Sequence, residues 1–364
     1  MPFNATYDWV PRGLTFTPTT QDPDLHIHSG GPNDPNTTTP SHYRIQTITP
    51  NPSYLTPPLW IESMMTILSQ PSKSLILLES RNSPQDPGFA APEDVMRSAI
   101  KALNLKEAQV QRVISKSGSL TDYFFSESES ASSDLSGVEL AFRWTSMPGC
   151  YVVFLGRFIP KMQPGWQREE ADRMVGVVAH RGIFPISSRA SSQRGGEDED
   201  EEEKKKKKTE KEKNVIMDSD LETALGKHAE KLGENPMSVV TVLLQLCESQ
   251  LDEEIHELGI RLEGTPMEDF VEVSKEMAPE ICMLRKACND LLAICGGCLS
   301  AIKIWSQNAK LARTQMRAEG LRRDVQGIKD SVELRLEKLK YIDGVCSRMV
   351  MGADSGRGTR FMEC

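Results

Sequence analysis

The most regular apolar pattern lies in the last third of the chain. Met277, Ile281, Leu284, Cys288, Leu291, Cys295, Cys298, Ile302, Trp305, Ala309, Ala312 and Met316 follow one another at spacings of four and three without a break. Such a heptad stripe predicts a long helix that turns one face to a partner. After Met316 the phase slips, and the stripe resumes at Leu321, Val325, Ile328, Val332, Leu336, Leu339 and Ile342. A slip of this kind predicts a bend or a local change of winding. Upstream, Asn235-Pro236 starts a helix with Val240, Leu244, Cys247, Leu251, Ile255, Leu258 and Leu262 on one face, and Gly264-Thr265-Pro266 ends it. A shorter helix carrying Leu221, Leu225 and Leu232 is capped by Ser219 or Asp220.

The seam mixes small side chains (Cys288, Cys295, Cys298, Ala309, Ala312) with the large Trp305. Self-paired zippers favour Ile, Val and Leu at these positions. The mixture therefore favours a helical bundle or a heteromeric coiled coil over a simple dimer. Charge adds direction. Residues 248–280 hold eleven acids and two bases, whereas residues 303–340 hold ten bases and five acids. The acidic helices are expected to fold back beside the basic one. The alternative is that the basic helix meets an acidic partner or a phosphate backbone.

Between residues 58 and 186 the periods are shorter and mixed. Leu59, Trp60, Met64, Ile67 and Leu68 suit a short helix, and residues 74–79 suit a strand. Pro92-Glu93-Asp94 opens a helix, and Val110, Val113 and Ile114 belong to a second one that ends near Gly118. Residues 138–145 and 150–159 read as two strands joined around Met147-Pro148-Gly149, an antiparallel hairpin whose second strand is central. Residues 168–181 are expected to be a helix with Ala171, Met174, Val175 and Val178 on one side. Helices and strands do not alternate strictly, so α+β is the expected class.

The rest of the chain punctuates these regions. Residues 1–57 are rich in Pro, Thr, Asn and Gly and are expected to be mostly extended or disordered, with one edge strand around residues 43–48. Residues 197–213 carry nine acids and seven lysines, the acids mostly first and the lysines mostly after them, a solvated run. The expected organisation is thus a Pro/Thr-rich leader (1–57), a small α+β domain (58–186), a disordered charged linker (187–213), an all-α coiled-coil or helical-bundle region (214–351) and a flexible tail (352–364).

Composition narrows the function classes. Of 364 residues, 38% are hydrophobic and 26% charged, and the formal net charge is -9. An acidic chain of this kind is not expected to bind nucleic acid generally. The start of the chain shows no basic segment leading into an apolar one, and no run of about 18 apolar residues is seen. The eight cysteines lack the spacing of a disulfide scaffold. Together these features predict an intracellular protein, cytoplasmic or nuclear, with no membrane partner.

Two strings carry candidate chemistry. Asp24-Leu25-His26-Ile27-His28 resembles the first-strand motif of metal-dependent hydrolases of the amidohydrolase or polymerase-and-histidinol-phosphatase type, in which alternate histidines share a metal. That resemblance implies further His and Asp ligands on later strands. Here His42, His180, His228 and His256 remain, two of them on expected C-terminal helices, so no metal site is expected. Cys295-Gly296-Gly297-Cys298 matches the CxxC spacing of redox sites, but it falls inside the heptad stripe and is expected to be buried thiols. No phosphate-loop, dinucleotide-binding, nucleophile-elbow or HExxH motif is present.

The expected function is a non-enzymatic scaffold or assembly subunit without cofactor, joined to protein partners as a homo- or hetero-oligomer through its C-terminal helices. The seam residues expected to carry it are Ile281, Leu284, Leu291, Ile302, Trp305, Val325, Val332 and Leu339. The alternative is a nucleic-acid-associated, phosphoprotein-like factor that uses Arg313, Arg317, Arg322, Arg323 and Lys329.

Overall fold

The structure, a computed structural model, describes residues 25–31, 44–48, 74–81, 120–127, 135–146, 151–159, 173–181, 220–266, 268–308 and 312–360, together with Thr66, Ile100, Lys101 and Leu105. Seven strands form one sheet: β1 (Leu25–Gly31), β2 (Arg44–Ile48), β3 (Leu75–Arg81), β4 (Leu120–Glu127), β5 (Leu135–Thr145), β6 (Tyr151–Ile159) and β7 (Arg173–Arg181). Their order is β2-β1-β3-β7-β6-β5-β4. Every neighbouring pair is antiparallel except β3–β7, which runs parallel from Leu75↔Met174 to Arg81↔His180. Helices follow: α1 (Asp220–Lys227), α2 (Ala229–Glu234), a 3-10 turn (Pro236–Ser238), α3 (Val239–Glu263), α4 (Phe270–Asn308) and α5 (Ala312–Arg360).

The hairpin β5–β6 and the edge position of β2 lie where the sequence places them. Residues 173–181, expected to be helical, are instead the strand β7. Met174, Val175 and Val178 satisfy a helical spacing, but the segment is apolar on both sides, with Val175, Val177 and Ala179 as buried as Met174 and Val178. A strand covered on both faces shows no alternation, and its period is then ambiguous. Strands β1 and β2 fall within the residues expected to be mostly extended or disordered, and α5 continues through Arg360 into the expected tail. Apart from Thr66, Ile100, Lys101 and Leu105, the residues of the helices expected at 58–68 and 92–118 lie outside the described residues, as does the charged linker.

Sheet and helices share one hydrophobic core. Leu75, Leu77, Phe142, Trp144, Phe154, Phe158 and Val178 on one sheet face join Leu244, Leu251, Leu284, Leu291, Ile302 and Val332 of the helices. Two contacts fasten the layers. The Trp144 indole N–H donates to the Ala287 carbonyl at 3.0 Å, and Phe158 meets Trp305 edge-on with ring centroids 5.0 Å apart. An edge-to-face pair adds about 0.5–1.5 kcal/mol beyond its area. Where Gly156 and Gly176 sit opposite each other on β6 and β7, a Cβ on Gly176 would lie 2.8 Å from the Leu155 carbonyl oxygen. The close approach lets Phe154 lie over this pair of strands.

The C-terminal half is a helical bundle. Arg261 of α3 pairs with Glu280 of α4, and Arg285 of α4 reaches Asp343 of α5 at 2.9 Å. Arg261 lies near the end of α3 and Glu280 early in α4, and Arg285, also early in α4, meets Asp343 in the second half of α5, so α4 runs antiparallel to α3 and to α5. Helices α3 and α5 are therefore parallel, consistent with Lys231–Asp324 and Glu248–Arg335. The heptad stripe, expected to continue to Met316, is divided between two helices, α4 ending at Asn308 and α5 starting at Ala312. Met316 is 75% exposed, because the chain reverses direction before it and carries it off the seam. Helix α4 contains an apolar window long enough to cross a membrane by length and composition, of which 44% is buried within the fold.

Candidate functional site

The predicted seam residues come together inside the chain. Ile281, Leu284, Leu291, Ile302 and Trp305 of α4 and Val325, Val332 and Leu339 of α5 are all buried in the common core. Their apolar surface is covered by α3, by each other and by the sheet. The contacts that set the register are polar. The Arg335 guanidinium lies 3.1 Å from Glu248 Oε1 and 2.6 Å from Asp252 Oδ1, and Ser331 Oγ donates to the same Glu248 oxygen at 2.7 Å. This links the acidic helix to the basic one within a single chain. Sequence reasoning found the charge asymmetry but not the residues; the only signal was that Arg335 lies between seam positions Val332 and Leu339.

The predicted basic contacts are dispersed. Arg322 is bound by Glu319 at 2.9 and 2.5 Å, and this bond raises the guanidinium pKa while holding the Glu319 carboxyl below its ordinary value. Lys329 sits 3.6 Å from Glu333. Arg323 is exposed, whereas Arg317 is half-buried, and burial lowers its pKa. Arg313 lies in the first turn of α5. Beside this end of α5 is a cleft of about 360 Å3, lined by Lys231, Asn235, Ser238, Met316, Arg317 and Leu321 among others. Asn235 closes its floor: its Oδ1 accepts from the Met237 N–H at 3.2 Å and its Nδ2 donates to the Arg317 carbonyl at 3.5 Å.

The CxxC cysteines lie within α4, not at a helix start, and Cys295 and Cys298 are buried. Burial pushes the Cys288 and Cys295 thiols up to about 12 and raises Cys247 and Cys298 as well. A thiol held neutral in this way is a poor nucleophile. Facing Cys288 on α3, Glu254 accepts from Gln250 Nε2 at 2.9 Å and from Ser146 Oγ at 3.3 Å. Burial raises its pKa, with smaller opposing effects from these hydrogen bonds.

On the sheet, the fully buried Glu79 of β3 meets His180 of β7, Oε1 to Nε2, at 2.6 Å. His26 and His28 are on β1, whose register sets His26 opposite Glu79 and His28 opposite Leu77. No group of three His, Cys, Asp or Glu side chains able to hold a metal is found among the described residues.

No protein-family model matches the chain, and no curated protein matches it. Among solved structures, the chain is similar to the ZntB cytoplasmic domain from Vibrio parahaemolyticus, at 9% identity and a TM-score of 0.38, over 89% of this chain and 97% of that one. It is also similar to the full-length CmaX protein, at 12% identity and a TM-score of 0.39, over 94% of this chain and 82% of that one.

Proposed function

We propose that this chain is a non-enzymatic assembly subunit that associates with a second copy of itself through the outward face of α5. The seam first expected to mediate association is occupied by the chain's own helices and sheet, so an association surface must lie elsewhere on the bundle. One observation carries the reading. Leu334 and Tyr341, one heptad apart on α5, are 68% and 69% exposed, and Met351 further along is 69% exposed. Large apolar side chains repeated along one helix stripe are a recurrent mark of helix-mediated association. Exposed charges of both signs, Asp330, Lys338 and Arg348, share this face. A face that carries both signs can meet a copy of itself in complementary register, as two-fold self-association requires. An intracellular setting fits the described cysteines, all of them free thiols.

Light scattering coupled to size-exclusion chromatography tests this on the full chain under reducing conditions. The expected result is a defined dimer that becomes a monomer in the Leu334→Asp, Tyr341→Asp double variant, with the helical circular dichroism unchanged. A wild-type chain that stays monomeric across roughly a hundredfold range of concentration, or a dimer indifferent to both substitutions, would overturn the reading.

A further inference from the structure

The outward face of α5 carries a second heptad stripe. Gly327, Asp330, Leu334, Glu337, Tyr341, Gly344, Arg348 and Met351 follow one another at alternating spacings of three and four. They lie on the side of the helix away from the buried Val325, Ile328, Val332, Leu339 and Ile342. All are exposed except Gly344, which is half-buried. The run of spacings, 3-4-3-4-3-4-3, reads the same in both directions. A stripe of that kind can lie antiparallel on the same stripe of a second copy. In one register every member then meets another member. Gly327 faces Met351, Asp330 faces Arg348, Leu334 faces Gly344 and Glu337 faces Tyr341, each pair occurring twice.

The side chains suit that register. The bulky Leu334 and Met351 each meet a glycine. A Cβ added at Gly327 or Gly344 would meet no atom of the described residues within 4 Å, so both positions are shallow notches open to solvent. Asp330 meets Arg348, a pair of opposite charge, and Gln326 Nε2 holds Asp330 Oδ1 at 2.6 Å. The Tyr341 phenol O–H faces the Glu337 carboxylate, an acceptor that Lys340 of its own helix also contacts at 2.6 Å. A parallel pairing would set each residue against its own copy: Asp330 on Asp330, Glu337 on Glu337 and Arg348 on Arg348. Like charges placed together in this way oppose association.

We propose that, given the self-association of α5 put forward above, the two copies pack antiparallel along this stripe, with the two-fold axis crossing α5 at the level of Leu339. The contact from Gly327 to Met351 is about 36 Å long, at about 1.5 Å per residue. The same patch serves both copies, so the assembly closes at two chains and does not grow further.

The test is charge exchange on the full chain, with the dimer dissociation constant read by sedimentation equilibrium under reducing conditions. Asp330→Arg or Arg348→Asp alone sets like charges together twice per dimer and is expected to raise the constant at least about tenfold. Combining Asp330→Arg with Arg348→Asp restores opposite charges and is expected to bring the constant back to within about threefold of wild type. Gly344→Leu fills the notch that receives Leu334 of the second copy. It is expected to weaken the dimer by a similar factor without loss of helical circular dichroism, because within its own chain the new side chain enters open space. A dimer that Leu334→Asp with Tyr341→Asp dissociates, but that ignores the single exchanges or is not restored by the combined one, would overturn the antiparallel register and leave self-association standing. A wild-type chain that stays monomeric would remove both.

Discussion

Replacing Leu291 by alanine distinguishes a core that belongs to one chain from a seam shared between chains. Leu291 is buried at the middle of α4. The substitution removes three carbons, about 2.4 kcal/mol of transfer free energy at about 0.8 kcal/mol each. Neighbours on α3, α5 and the sheet hold the site open, and the cavity left behind brings the total to about 3–4 kcal/mol. Urea unfolding followed by circular dichroism measures this loss. Association through α5 would itself make wild-type stability depend on concentration, so the comparison belongs in the Leu334→Asp, Tyr341→Asp background. There the midpoint with and without Leu291→Ala should be the same at protein concentrations about a hundredfold apart, because folding of a single chain carries no concentration term. A loss under about 1 kcal/mol, or a midpoint that climbs with concentration in that background, would refute the assignment of Leu291 to an intrachain core.

Two further outcomes follow from buried titratable groups. Burial raises the Glu254 carboxyl above its ordinary value, so between that value, 4.5, and the raised one the folded chain holds more protons than the unfolded chain. Stability attributable to this group therefore falls as pH rises through that window and stays reduced above it. Glu254→Gln, which keeps an oxygen to accept from Gln250 and Ser146, should be at least as stable as wild type at pH 7. It should lose that advantage below about pH 4.5, in urea titrations at each pH. Among the described cysteines Cys282 is exposed and the other five are buried. A thiol reagent at pH 8 should modify Cys282 rapidly and Cys247, Cys288, Cys295, Cys298 and Cys346 only as the chain unfolds, read site by site by peptide mass spectrometry; rapid labelling of Cys295 in the folded protein would contradict the packing.

The helices were the most legible part of the fold. A four-three spacing needs only one covered face, and in α3 and α4 the other faces are polar enough to leave it visible. What covers a stripe is a different question, because a heptad reads the same whether its partner is another chain or the next helix. The acid-to-base asymmetry pointed toward an internal partner, but the pairing of Arg335 with Glu248 and Asp252 depends on how far α5 slides along α3. The sheet was harder to read. Its β6 stood out as an apolar run, whereas β7 is apolar on both faces and imitates a helix. With β7 misread, His180 was placed on a helix, and nothing in the order of residues could bring it to Glu79. The register of β1 on β3 was equally hidden.

The single parallel ladder, β3 on β7, also shapes how the chain is made. It joins two antiparallel halves: β2-β1-β3, complete once residue 81 has been synthesised, and β7-β6-β5-β4, complete only at residue 181. Within each half, neighbouring strands can pair as they emerge. The joint between the halves must wait for the second, and long-range parallel pairing is slow. Until then both halves leave a sheet edge open to other chains. The apolar face that later receives Ala287 and Trp305 stays bare longer still, until α4 has left the ribosome. A chain stalled or cleaved between residues 181 and 270 would present that face without its cover, and such fragments should be substrates for chaperones rather than stable shorter proteins.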